Sequence, residues 1–246
     1  LGDVYKRQDY KSFLAFYRKG NTFMVELKGV NIDEALRYMG HQGKPSEGLE
    51  KIIEDCEAKL LVTARPGYVY RIFDISSEPE GVRVEGSSLL LRGNDIRGHL
   101  EGCGRAALLC ATLGVETDRL IRTIEITDIS SAFVMDALAS AAIEEVSRIA
   151  DEDIKGQLDG EFLTWRFSPG YGDFPLEIQK EFLEAVNAPK RIGLCTGENN
   201  ILIPRKSVTA VAGISEKPIS RKRRGCACCN MSKTCAFRKR GEHCGF

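Results

Sequence analysis

The sequence predicts an α+β fold: a mainly antiparallel, twisted sheet with flanking helices in a single domain, followed by a Cys-rich C-terminal tail. Three observations predict it. Helical and strand-like segments come in clusters, without the regular β-α-β alternation of a parallel sheet. Hydrophobic residues make up 43% and charged residues 28% of the 246 positions, the balance of a globular chain with a sizeable core. Cysteine and positive charge both concentrate after residue 215, where the pattern of the body stops.

Taken in order, Leu1–Gln8 resembles translated sequencing-adapter read-through and is set apart from the body, assigned to residues 9–215. The first twenty residues mix acids, bases and aromatics and show no secretory signal. Asn31 is placed to cap a short helix through Tyr38, with Asp33 and Glu34 in its first turn and Gly40 as a stop. Ser46 precedes a helix in which Leu49, Ile52, Ile53, Cys56 and Leu60 follow a 3.6-residue period. After Pro66-Gly67, the aromatic and β-branched run Tyr68–Ile75 reads as a strand, and Val82–Glu85 and Ser88–Arg92 continue the sheet. Asp95 is expected to open an Ala/Leu-rich helix through about Thr112, stopped by Gly114. Phe133–Ala150 carries the longest helical signal, with Val134, Leu138, Ala142 and Val146 in one stripe. Pro175 suits the first turn of a helix ending before Pro189. Ile192–Leu194, Ile201–Ile203 and Val208–Ile214 read as late strands.

Composition excludes several functions. Thirty-five Lys and Arg balance thirty-five Asp and Glu, so whole-chain charge gives no argument for nucleic-acid binding. No apolar run approaches the roughly 18 residues of a membrane span. Phosphate-loop, strand-linked GxGxxG and HExxH patterns are absent. Nine cysteines, an odd number, argue against an extracellular disulfide framework and for a reducing cytoplasm. Cys56, Cys103 and Cys110 sit among apolar, helix-like residues as core thiols, and His41 and His99 lie beside glycines in loop-like, surface contexts.

The densest unusual stretch is Trp165–Pro175, a Pro- and Gly-rich loop. Arg166 can grip a carboxylate through two parallel hydrogen bonds. Gly170 allows close backbone approach, and Tyr171 offers a flat face with a polar tip. Composition alone favours a plainer arrangement, a tight turn in which Arg166 pairs with a surface acid and the aromatics complete the core.

Arg166-Phe167-Ser168-Pro169-Gly170-Tyr171, then Pro175 and a helix, then Ile192–Thr196, Ile203-Pro204 and Ser207-Val208, resembles the activation domain of cobalamin-dependent methionine synthase. Gly98–Cys103, Ala111–Gly114 and the Asp136–Glu145 segment resemble the free-standing form of that domain, so the likeness runs in order over roughly residues 30 to 215. The resemblance implies binding of S-adenosylmethionine through the RxxxGY signature. It also implies a component of a methyltransferase system that supports reductive remethylation of cob(II)alamin. The cobalamin would be carried by a partner methionine synthase lacking its own activation domain, with a flavodoxin-like or other electron donor. By the same resemblance, Arg166 would take the ligand's carboxylate, Ser168 and Gly170 would line the site through backbone, and Tyr171 would pack near the sulfonium or adenosine. Glu144, on the polar side of the long helix, would meet the ligand's amino group; the plainer reading is an exposed helix acid. The register puts Ala212 where the larger synthase has a further ligand-side tyrosine, and Asp33 is the nearest counterpart of an early family aspartate.

Residues 216–246 carry nine Lys or Arg against two Glu. Cys226, Cys228, Cys229, Cys235 and Cys244, with His243 beside the last, supply more thiols than a four-coordinate zinc site or an iron–sulfur cluster requires. Flanking cations favour thiolate. The alternative function is a non-catalytic metal-binding module that docks a corrinoid or other partner protein. A flexible tail with reactive thiols, or one that docks an acidic partner or nucleic acid, also fits the composition.

Overall fold

The computed structural model describes residues 16–19 and 22–219. The chain is α+β, with an eight-stranded antiparallel sheet between two layers of helices. Strands β1 (Phe16–Lys19) and β2 (Thr22–Val25) form a hairpin at one edge. Helices α1 (Ile32–Tyr38) and α2 (Glu47–Thr63) follow, capped by Asn31 and Ser46. Strand β3 (Gly67–Glu78) pairs along Gly67–Asp74 with β6 (Arg105–Thr112). Its far end instead pairs with β4 (Gly81–Val84), which is followed by β5 (Leu90–Arg92). The sheet runs β1-β2-β3-β6, then β10 (Ser207–Ser215), then the two-residue β7 (Phe162–Leu163). Between β7 and β10 lie a 3-10 turn at Leu176–Ile178, α6 (Gln179–Val186), α7 (Ala188–Ile192) and a separate small hairpin, β8 (Cys195–Thr196) with β9 (Leu202–Ile203).

The structure departs from the sequence expectations at several elements. The Asp95–Thr112 stretch is not one helix: α3 covers only Asn94–His99, and Arg105–Thr112 is the central strand β6. Ala107, Leu109 and Ala111 face one helical layer while Ala106, Leu108 and Cys110 face the other. A strand buried on both faces has no polar alternation, so its apolar run resembles a helix segment. Gly102 and Gly104 separate it from α3. A further helix, α4 (Val115–Thr127), stands where no element was expected; α5 (Ile129–Gly156) begins just beyond it, capped by Asp128. Farther on, α6 ends at Val186, before Pro189 as expected, and Pro189 sits in the first turn of a further helix, α7. Ile192 ends that helix instead of opening a strand. Of the three thiols, only Cys56 is helical: Cys110 is on β6 and Cys103 is half-buried in the turn before it. Burial pushes the Cys103 thiol up to about 11.

Helix α5 organises one layer. It packs against α1, α2 and α4 and lies over the sheet, burying Val134, Leu138, Ala142 and Val146 as the periodicity predicts. Its many alanines let the backbone approach the strands closely. The opposite face of the sheet is covered by α3, α6, α7 and the β4–β5 excursion. Among the described residues, no helix is long and apolar enough to cross a membrane.

Leu138 is fully buried and Ile126 is 86% exposed. Leu138→Ala is expected to lower unfolding free energy by about 2–5 kcal/mol, and Ile126→Ala by no more than about 0.5 kcal/mol. Urea denaturation of the two variants beside the parent checks both.

Candidate functional site

The loop leaving β7 runs beside β10 before turning away. Thr164 donates its amide to Gly213, and Phe167 and Val211 exchange two backbone hydrogen bonds at 2.8 Å. Extended backbone alternates its side chains. Trp165 and Phe167 join the core cluster on the α3/α6 side, and Arg166 between them reaches α5.

There Arg166 meets two acids. Nη2 donates to Glu144 Oε2 at 3.0 Å, and Nε lies 3.1 Å from Asp151 Oδ2. Glu144 and Asp151 are seven residues apart, about two helical turns, and so share one side of α5. The Glu144 side chain is 43% exposed, whereas those of Arg166 and Asp151 are each 21% exposed. Burial raises the Asp151 carboxyl above its ordinary value, against the lowering effect of Arg166 and Lys155. Tyr38, at the end of α1, lies near Glu144: burial first, then the Glu144 charge, pushes its hydroxyl up to about 12. One to two turns before Glu144, Lys206 Nζ reaches Ser140 Oγ at 2.9 Å and the Asp136 carboxylate at 2.8 Å, pinning the start of β10 to α5.

The signature residues after Phe167 close a turn of their own. Tyr171 donates its amide to Ser168 at 3.1 Å and Gly170 donates to Phe174 at 2.8 Å, so both N–H groups are already engaged within the loop. Gly170 has φ +90°, and a Cβ there would stand 3.1 Å from Leu176. Tyr171 is 48% exposed, its ring edge-on to Phe167 at 6.3 Å. Asp173 ties this turn to α3 by accepting from the amides of Asn94 at 2.7 Å and Asp95 at 2.9 Å, while Asp95 accepts from the Asp173 amide at 3.1 Å. A Cβ on Gly172 would fall 1.9 Å from Asp95, so this close approach requires glycine.

Arg166 and Glu144, far apart in sequence, are therefore brought together, while Ser168, Gly170 and Tyr171 form the adjoining turn. Arg166 pairing with an acid is also what the plainer reading expected. Asp33 lies exposed in the first turn of α1, at the opposite end of that helix from Tyr38. Ala212 is buried on β10 against the α5 layer. His99 is not a surface residue: it is half-buried, 4.1 Å from the Trp165 ring, with Nε2 3.0 Å from Thr164 Oγ1. His41 has a buried Nε2 with no hydrogen-bond partner among the described residues. Asp151, Tyr38 and Asp173 were missed; for Asp151 the available signal was its two-turn spacing from Glu144. Cys226, Cys228, Cys229, Cys235, Cys244 and His243 lie outside the described residues. Among the described residues, no group of three or more His, Cys, Asp or Glu is placed to hold a metal.

The chain matches none of the protein-family models compared and none of the curated proteins. Among solved structures it is similar in fold to one described as the MetH reactivation domain bound to AdoHcy. The TM-score is 0.53 at 14% identity, over 88% of this chain and 85% of that one.

The carboxyl of Asp173 is held below its ordinary value by the Asp95 and Asn94 amides. A depressed carboxyl contributes stability that is present above its unfolded value, about 3.9, and lost as pH falls through the folded one. Asp173→Ala is expected to cost about 1 kcal/mol at neutral pH, the scale of a lost helix cap. The gap from the parent should close on acidification below about pH 4. Urea denaturation across that pH range measures both effects.

Proposed function

We propose that this chain binds S-adenosylmethionine beside Arg166 and Glu144 and acts as a free-standing reactivation component for a cobalamin-carrying methionine synthase. The observation that carries this reading is the Arg166–Glu144 pair, a cation and a carboxylate 3.0 Å apart, on a fold shared with the MetH reactivation domain. That pair fits the amino-acid end of the ligand, because guanidinium complements a carboxylate and a carboxylate complements an ammonium. The half-exposed ring of Tyr171 stands at the adjoining turn, available to an adenosine or a sulfonium.

S-adenosylmethionine supplies an electrophilic methyl group, so the chemistry asks the protein for no obligatory acid or base. What remains for this chain is positioning. Arg166 and Glu144 would hold the amino-acid end, and the turn at Ser168–Tyr171 would define the adjacent wall. The cobalamin belongs to the partner, a synthase without its own activation domain, which would receive an electron from a flavodoxin-like or other donor. The basic tail, residues 216–246, we assign to metal binding through its cysteines and to partner docking.

Calorimetric titration of S-adenosylmethionine into the full chain tests the first claim. Saturable binding is expected, and Arg166→Ala should weaken it by roughly 10- to 150-fold, the worth of a charge-assisted hydrogen bond. Absence of binding, with and without a cobalamin-carrying synthase, would remove the reading. The tail has its own test. Truncation after Ser215 should leave S-adenosylmethionine affinity unchanged while eliminating zinc or iron from the purified protein, measured by elemental analysis. Equal metal content in the two forms would exclude the tail as the site.

A further inference from the structure

We propose that Asp151 is the positioning residue of this site, a fixed carboxylate that keeps Arg166 oriented while Glu144 exchanges its bond to Arg166 for the ammonium group of an amino-acid-bearing ligand. The inference rests on the ligand reading above and deepens it by dividing the work between two acids.

The argument begins with the shape of guanidinium. Its Nε–H and one N–H of Nη2 lie along one edge; Nη1 and the second N–H of Nη2 lie along the other. Asp151 Oδ2 forms an ion pair with Nε at 3.1 Å, and Glu144 accepts a hydrogen bond from Nη2. Nη1 has no protein partner among the described residues, leaving the second edge available for a carboxylate. A zwitterionic ligand places its carboxylate on that edge and brings its ammonium within reach of an acid. Glu144 suits the exchange, because its side chain is the more exposed of the two.

Once Glu144 turns to the ligand, Arg166 would be free to swing if it had no second anchor. Asp151 supplies that anchor from two turns along α5, at 3.1 Å and with a side chain only 21% exposed. Its other oxygen, Oδ1, is buried without a partner among the described residues, so the carboxylate relies on Arg166 for its one described ion pair. Such a buried acid is costly unless its cation stays in place, which couples the two residues tightly. The charged groups acting on Asp151 are Glu144, Glu152 and Lys155 on its own helix and Arg166 from the loop; Tyr38 of α1 faces Glu144. Burial raises the Asp151 carboxyl, so protonation would release Arg166 at a pH above the ordinary aspartate value.

Two measurements on the full chain test the assignment. The first needs no ligand: the Nε–Hε cross-peak of Arg166 in a nitrogen-15 NMR spectrum, identified by its loss in Arg166→Lys. The peak should persist in Glu144→Gln and broaden or vanish in Asp151→Ala. Should the alanine variant fail to fold, the isosteric Asp151→Asn should still shift the peak and speed its exchange. A peak unchanged by either Asp151 substitution, or lost in Glu144→Gln, overturns the proposal whether or not ligand binds.

The second measurement is S-adenosylmethionine affinity from pH 7 down to about pH 4, toward the ordinary aspartate value. The parent should weaken as pH falls, whereas Asp151→Asn should bind about tenfold more weakly at pH 7 and lose less of its remaining affinity across the range. A merely structural Asp151 would not move the pH profile, so an unchanged profile in Asp151→Asn also overturns the proposal. If the NMR result is as expected but the parent binds no S-adenosylmethionine, the ligand reading and the exchange at Glu144 fall, and only the anchoring of Arg166 by Asp151 stands.

Discussion

The site depends on the way α5 is buried. Twenty-eight residues of helix, about 42 Å at 1.5 Å per residue, lie against the sheet and three other helices with little rotational freedom left. A helix held along its whole length fixes its uncovered edge as firmly as its core face. That edge carries Asp136, Ser140, Glu144 and Asp151, and the neighbouring segments of chain dock on it. Lys206 joins at Asp136 and Ser140; Arg166 joins at Glu144 and Asp151. Apolar packing on one side of α5 therefore sets polar geometry on the other.

Electrostatics at Arg166 follow from the same arrangement. One guanidinium faces two carboxylates, and only Glu144 is substantially exposed. Forming such a cluster in a half-buried setting requires partial desolvation of all three groups. A ligand that brings its own carboxylate and ammonium can exchange one set of ion pairs for another, leaving no buried charge alone. A ligand with only one of those groups cannot complete the exchange. On the proposed reading, the cluster would thus favour an amino-acid moiety over a simple anion.

How much of this was legible in the sequence differs by element. Caps and periodicity located α1, α2 and α5, because Asn31 and Ser46 satisfy first-turn amides and because α5 keeps its apolar stripe for many turns. The same rules failed at Arg105–Thr112, where burial on both faces removes the alternation that identifies a strand. They also passed over α4, whose first turn follows a glycine without a side-chain cap. At the site, Arg166 and Glu144 were selected through resemblance to a family, and α5 brings them together. Asp151 looked like one helix acid among several; its two-turn spacing from Glu144 becomes informative once the β7–β10 loop packs on α5. Asp173 was hidden for another reason, since its partners Asn94 and Asp95 are nearly eighty residues away and belong to a helix of six.

Three independent anchors restrain the Trp165–Pro175 loop despite its turn-rich composition. The Phe167–Val211 backbone pair holds its start to β10, Arg166 holds it sideways to α5, and the Asp95–Asp173 exchange holds its end to α3. These anchors come from different layers of the fold, so loosening one leaves the loop constrained at two others. Ordering a flexible loop on binding would oppose affinity through lost conformational entropy. A loop already ordered avoids most of that cost, and it keeps the Arg166 edge and the Tyr171 ring at fixed separation. For the proposed role, in which the protein holds a donor in line with an acceptor, that fixed separation would be the property that matters.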